Sequence, residues 1–306
     1  MIDMFDWISM STKKSETRSK IEDFCNKNYI NIESTVSDHG EILNSGKRFI
    51  EYRGIKIILL SNGCVKLMFS LHKLYNELHG IYDFKNQAMN HDTFDFSKVK
   101  YIITWLELNF QIDPMHTLIH QLEFGFNLSN LTIDSKTIID QFIAYKDRRF
   151  NSLDVIGLGY GIEVLFPKYY KIKIYDKALQ YRLPQQILRI EYKALRLKSI
   201  EFKIFNGDNM LCKLLEIDTW KRCKDYILQQ IQACIISDRF KCKTKHDLFN
   251  WENPKFWELS KAHIRYKAKT KFDKFIRERG LLQIKNSLIN NINTEYNTML
   301  IGHNFH

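Results

Sequence analysis

Proline is scarce in this chain of 306 residues, with 4 in all, and glycine is modest at 12. Disordered and collagen-like chains need far more of both. No apolar run approaches the roughly 18 residues that a membrane-spanning helix requires. The opening "MIDMFDWISM" has no basic segment followed by an apolar one, so it carries no secretory-signal pattern. The cysteines, at 25, 64, 212, 223, 234 and 242, include no Cys-x-x-Cys pair. Free thiols in a reducing cytoplasm fit that scatter better than a disulfide framework. Cys242 and His246 have a tolerable zinc-ligand spacing, but no second ligand pair accompanies them.

Hydrophobic residues make up 44% of the chain and aromatics 13%, enough for a sizeable core and two or three domains. The net charge is +11, and it is unevenly spread. Residues 239–306 hold 14 Lys and Arg against 6 Asp and Glu, concentrated in "KAHIRYKAKTKFDKFIRERG". Such a surplus points to a polyanion, usually nucleic acid, although a solvated basic helix has the same composition. Arg265, Lys267, Lys269 and Lys271 are the candidate DNA contacts of this stretch. Tyr266, Phe272 and Phe275 interleave with them at a helical spacing that suits a core better than base stacking.

Periodicity predicts a helix over 15–28, strands within 47–69 with a turn at "SNG", and a serine-capped helix over 97–111. A strand follows at 118–128, then a helix at 135–147, then strands near 161–166, 170–176 and 186–194. After about residue 206 the pattern is helical to the end, with a loop at 250–254. "GLGYGI" at 157–162 reads as a bend rather than a nucleotide loop, because no helix opens after it. The expected class is α+β, with an antiparallel sheet, helices on one face and a helical C-terminal region. The expected division is 1–96, 97–205 and 206–306.

Three strands share one design. In "HQLEFGFNL" the residues Leu122, Phe124, Phe126 and Leu128 fall on one face, with Glu123, Gly125 and Asn127 on the other. In "KIKIYDK" the isoleucines oppose Lys173, Tyr175 and Lys177. In "ILRIEYK" Leu188, Ile190 and Tyr192 oppose Arg189, Glu191 and Lys193. One sheet face would therefore present two carboxylates, a tyrosine and several cations. An ordinary solvated face has this pattern too, and alternation does not separate the two. Chemistry adds a reason to look further. Two carboxylates can hold Mg²⁺ or Mn²⁺, and a tyrosine beside them can attack a phosphodiester. A free tyrosine has a pKa of about 10, so it needs a neighbouring cation such as Lys177 to ionise.

At these residues the chain resembles the rolling-circle replication initiators of filamentous phages and their relatives in Bacteroidota plasmids and phages. "LEFGFNL", "KIKIYDKALQY" and "QILRIEYKA" occur in the family's order, preceded by "MFSLHKLYNELHG", "MNHDTFDFS" and the opening "MID". The resemblance covers about residues 1–205, with "NWENPKFWELS" its trace in the tail. It implies an RRM-like antiparallel sheet and site-specific nicking and rejoining of DNA at an origin through a 5′-phosphotyrosine. It implies Tyr175 as nucleophile with Lys177 beside it, and Glu123 and Glu191 as ligands of Mg²⁺ or Mn²⁺. Lys173, Arg189, Lys193, His72 and Lys73 join the expected DNA contacts, His72 being equally readable as structural. The His-hydrophobic-His pair of better-known initiators is missing; His116 and His120 precede the Glu123 strand and read as a strand edge more readily than as a substitute. The expected partners are origin DNA and a host helicase, with no membrane and a cytoplasmic location. A non-catalytic DNA-binding regulator and a relaxase-like mobilisation protein remain the alternatives.

Overall fold

Alternating apolar and polar residues become one large antiparallel sheet in the computed structural model, which describes residues 4–34, 47–82, 87–146, 148–153, 160–238 and 252–301. The first half contains β1 (Phe5–Thr12), α1 (Ser15–Lys27), β2 (Glu33–Ser34), β3 (Arg48–Tyr52), β4 (Ile55–Leu59), β5 (Val65–Ser70), α2 (Leu71–Leu78), α3 (Phe96–Phe110) and β6 (Leu118–Leu128). There follow α4 (Ser135–Asp140), β7 (Phe142–Tyr145), β8 (Arg148–Arg149), β9 (Asn151–Ser152), β10 (Gly161–Phe166), β11 (Tyr170–Asp176), α5 (Lys177–Tyr181) and β12 (Leu188–Ala194). The rest comprises α6 (Glu201–Ile204), α7 (Ile217–Ala233), β13 (Cys234–Ile236), α8 (Pro254–Leu259), α9 (Ala262–Glu278) and α10 (Gln283–Ile301).

The protein is α+β. Its ten-stranded sheet runs β2-β3-β4-β5-β1-β6-β12-β11-β10-β9. Strands from 1–96 and from 97–205 lie side by side in it, because β1 is inserted between β5 and β6. The even-numbered residues of β6, β11 and β12 form its apolar face: Leu122, Phe124, Phe126, Ile172, Ile174, Ile190 and Tyr192 are all buried. Helices α7 and α10 pack on β6. Trp220 of α7 meets Phe5 edge-on at 4.9 Å, and the Tyr226 hydroxyl donates to that of Tyr192 at 3.2 Å. Each such large apolar side chain removed from water contributes about 1.5–3 kcal/mol.

A second, smaller core lies over a three-stranded sheet, β13-β7-β8. Ile143, Ala144 and Ile235 pack there against Trp257, Phe272 and Ile276 of α8 and α9. This corrects two expectations. The helix expected over 135–147 stops at Asp140, and residues 142–145 form a strand buried on both sides. The region after 206 is interrupted by β13, which pairs with it. A short, fully apolar run has no period by which a strand differs from a buried helix. The cap of α3 also differs: Asp95 accepts from the Lys98 N–H, and Ser97 donates to Asp95 instead of capping. Residues 157–159 of the glycine-rich stretch, Cys242 with His246, and residues 250–251 of the 250–254 loop lie outside the described residues, and the helix α8 begins at Pro254.

Candidate active site

Strand β12 lies between β6 and β11, and its register builds the site row by row. Lys173 is opposite Glu191, which is opposite Gly125; Tyr175 is opposite Arg189, which is opposite Asn127; Lys193 is opposite Glu123. These odd-numbered residues share the face away from the apolar core. Two glycines let the strands meet there. A Cβ on Gly125 would lie 2.1 Å from the Ile190 carbonyl oxygen, and one on Gly161 would lie 2.6 Å from the Tyr175 Cβ. Such distances are far inside van der Waals contact, so glycine is the residue that fits.

A third carboxylate completes the group. Oxygens of Asp6, Glu123 and Glu191 lie within 4.8 Å of one another, and all three residues are buried. Sequence alternation missed Asp6 because β1 changes phase. Ile8 and Met10 put even positions in the core, whereas Phe5 puts an odd position there, and the pairing of β1 with β6 shifts register between Phe5 and Ile8. The bulge turns Asp6 toward the open face. The legible signal was an acid inside the apolar run "MFDWISM". Asp6 accepts hydrogen bonds from the Ser70 hydroxyl and, at 2.6 Å, from the Asn90 amide, which in turn accepts from the Tyr181 hydroxyl.

Cations hold the acids in place. Lys173 is paired with Glu191 and lies 3.7 Å from Glu123; Lys193 lies 2.9 Å from Glu123 and 4.3 Å from the centre of the Trp7 ring. Burial opposes the ionisation of Asp6, but Lys177 and Arg189 outweigh it and hold its carboxyl well below the usual range. Burial likewise opposes the ionisation of Glu191, and Lys173 and Arg189 hold it down to about 2. Glu123 goes the other way. Burial and the Glu191 charge push it up to about 7, with Lys173 and Lys193 pulling back incompletely. The Tyr175 hydroxyl donates to Glu191 Oε2 at 3.3 Å. Burial and that same carboxylate keep the phenol protonated well above its ordinary range, while Arg189 favours the phenolate.

The group forms the base of a cleft of about 700 Å³, with Lys56, Lys73, Lys171 and Lys193 among its lining residues. Three expected site residues, Lys177, Arg189 and His72, are buried and do not line the cleft. Strand β11 ends at Asp176, whose side chain caps α5 by accepting from the Leu179 N–H, so Lys177 opens a helix and is fully buried rather than continuing the strand face beside Tyr175. Arg189 is also fully buried, 3.3 Å from the Asn127 side chain and 3.7 Å from Glu191, so it supports the acids instead of meeting a backbone. His72 is buried against Phe94 and bonded to Asp92 at 2.7 Å. His116 bonds Asp113 and His120 bonds Ser11, and neither lines the cleft. On α9, Lys267 and Lys271 are exposed, whereas Arg265 and Lys269 donate to backbone carbonyls of Trp257, Ser260 and Ala233.

No protein-family model matches the chain, and no curated protein matches it in sequence. Among solved structures it is similar to the rolling circle replication initiator protein from Geobacillus stearothermophilus, at 12% identity and a TM-score of 0.43, over 83% of this chain and 92% of that one. Among the described residues, no helix is long and apolar enough to cross a membrane.

Proposed function

We propose that this protein is a DNA nicking and rejoining endonuclease that initiates rolling-circle replication, with Tyr175 as its nucleophile. One observation carries the reading: the Tyr175 hydroxyl lies 3.3 Å from one of three converging carboxylates in a cleft edged by lysines. The ordered motifs around Glu123, Tyr175 and Glu191 support it. Asp6, Glu123 and Glu191 offer oxygen donors alone, a set that suits Mg²⁺ or Mn²⁺ over softer metals. When bound, such an ion supplies Lewis-acid polarisation of the phosphodiester.

The chain's own groups account for the rest. Tyr175 Oη attacks the phosphorus and forms the tyrosyl ester with the 5′ phosphate, while the bond to the 3′ oxygen breaks. The phenol proton passes to Glu191 Oε2, the acceptor it already faces. Lys173 and Arg189 keep that acceptor ionised. The leaving 3′ oxygen takes a proton from water and becomes a primer hydroxyl. One phosphoester replaces another, so the reverse attack reseals the strand without ATP. The basic C-terminal helices would take duplex DNA or a host helicase.

The burial of Tyr175, 7% exposed, favours a second reading, a DNA-binding regulator without chemistry. A pool of 3′-labelled single-stranded oligonucleotides, incubated with Mg²⁺ or Mn²⁺, decides between them. We expect an adduct that survives boiling in detergent and maps to the Tyr175 peptide. Tyr175→Phe removes one oxygen, so it should bind within about twofold of wild type, since phosphate contacts set affinity, and yield no adduct. A label on Tyr181 or Tyr192 would assign a different nucleophile. Binding without any adduct would establish the regulator.

A further inference from the structure

A second basic site lies at the edge of the large sheet, outside the cleft. Arg148 and Arg149 of β8 and Arg265 of α9 line one pocket of about 280 Å³, whose only carboxylate among the lining residues is Glu258. Among the described residues, neither Arg148 nor Arg149 is ion-paired. The exposed guanidiniums of Arg148 and Arg149, adjacent in one short strand, repel one another, an arrangement that a bound polyanion relieves. The Arg148 guanidinium is preset: it stacks on the Phe166 ring at 4.6 Å and donates to the Leu165 carbonyl at 3.4 Å. A planar fork held this way suits two parallel hydrogen bonds to phosphate oxygens.

One edge of the sheet separates this site from the cleft. Asn151, on the edge strand β9, lines the arginine pocket, and Leu153, just beyond that strand, lines the cleft. Two residues of extended backbone span about 7 Å. The geometry points to a subsite for a backbone phosphodiester of single-stranded nucleic acid that leaves the cleft over the sheet edge. The inference rests on the proposed function for the identity of its polyanion, and its test separates the two.

Full-length protein with EDTA is titrated with fluorescent oligothymidylate across a salt series, so that affinity is read without chemistry. Each phosphate contact on a single strand contributes about 0.7 to the slope of log affinity against log salt. Arg148→Gln/Arg149→Gln should therefore lower the slope by about 0.7, for the one phosphodiester the pair holds, and weaken binding about fivefold near 100 mM salt. Both residues are exposed, and unchanged thermal unfolding would confirm the fold. Arg148→Lys/Arg149→Lys should keep the slope and lose less affinity, because the charge stays and only the fork goes. Unchanged slope and affinity in the glutamine variant, with adducts still forming at Tyr175, would overturn the subsite and leave the nicking function standing. The expected loss of slope without adducts in any variant would uphold the subsite and refute nicking. Polyglutamate competing as well as oligonucleotide of equal charge would overturn the assignment to phosphodiester.

Discussion

Burial and the Glu191 charge lift the Glu123 carboxyl from its ordinary 4.5 to about 7, which ties the stability of the metal-free protein to pH. Between these values the unfolded chain has released a proton that the folded protein still holds. Stability from this group is therefore complete below about pH 4.5 and is lost as pH rises through 7, by up to about 3 kcal/mol. Urea unfolding in EDTA from pH 5 to 8 should show that decline, and Glu123→Gln should flatten it. An equal decline in the variant would place the titrating group elsewhere. Asp6 and Asp92 have lowered values and act only at more acid pH, so they do not obscure this window. Phase alone placed Glu123, Tyr175 and Glu191 on one face. It did not show which cations on that face reach water: Arg189 and Lys177 look like surface charges in a string of letters, yet both are fully buried.

At the level of elements, β6, β11 and β12 were readable because apolar side chains facing the core alternate with polar and charged ones facing the site. Strand β7 was not, since Phe142, Ile143, Ala144 and Tyr145 are buried on both sides and leave no period. Asp6 was hidden by a bulge, a feature of pairing rather than of the β1 sequence. The strand spacing at the site makes its own prediction. Gly125→Ala would drive a methyl into the β12 backbone at Ile190 and Glu191. The cost should be about 1–3 kcal/mol, the range for overpacking, measured by urea unfolding. Mn²⁺ binding should weaken with it, because Glu191 moves with its strand. Unchanged stability would mean that β6 and β12 part without strain.

For the whole molecule, the basic C-terminal stretch was legible as a charge surplus, but its role in the core was not. Ile284, Leu288 and Ile292 of α10 belong to the main core, and Asp238 caps that helix by accepting from the N–H groups of Gln283 and Ile284. Deleting residues 239–306 would thus expose the sheet as well as remove charge. Lys267→Gln/Lys271→Gln removes charge alone, from exposed positions on α9. If α9 follows a duplex backbone, the salt slope for duplex binding should fall by about 1.8, at about 0.9 per phosphate. An unchanged slope would confine the duplex footprint to the lysines around the cleft.

The insertion of β1 between β5 and β6 also sets the order in which the molecule can come into being. Asp6 leaves the ribosome long before its carboxylate partners at 123 and 191, and β12 has to slot between β6 and β11. Contacts of such long range close late and slowly. At translation speeds of about 5–20 residues per second, roughly 10–40 s pass between the first strand and the last one the cleft needs. Through that interval the nascent chain carries Tyr175 without its assembled acids, so the proposed nicking activity would arise only when synthesis is well advanced.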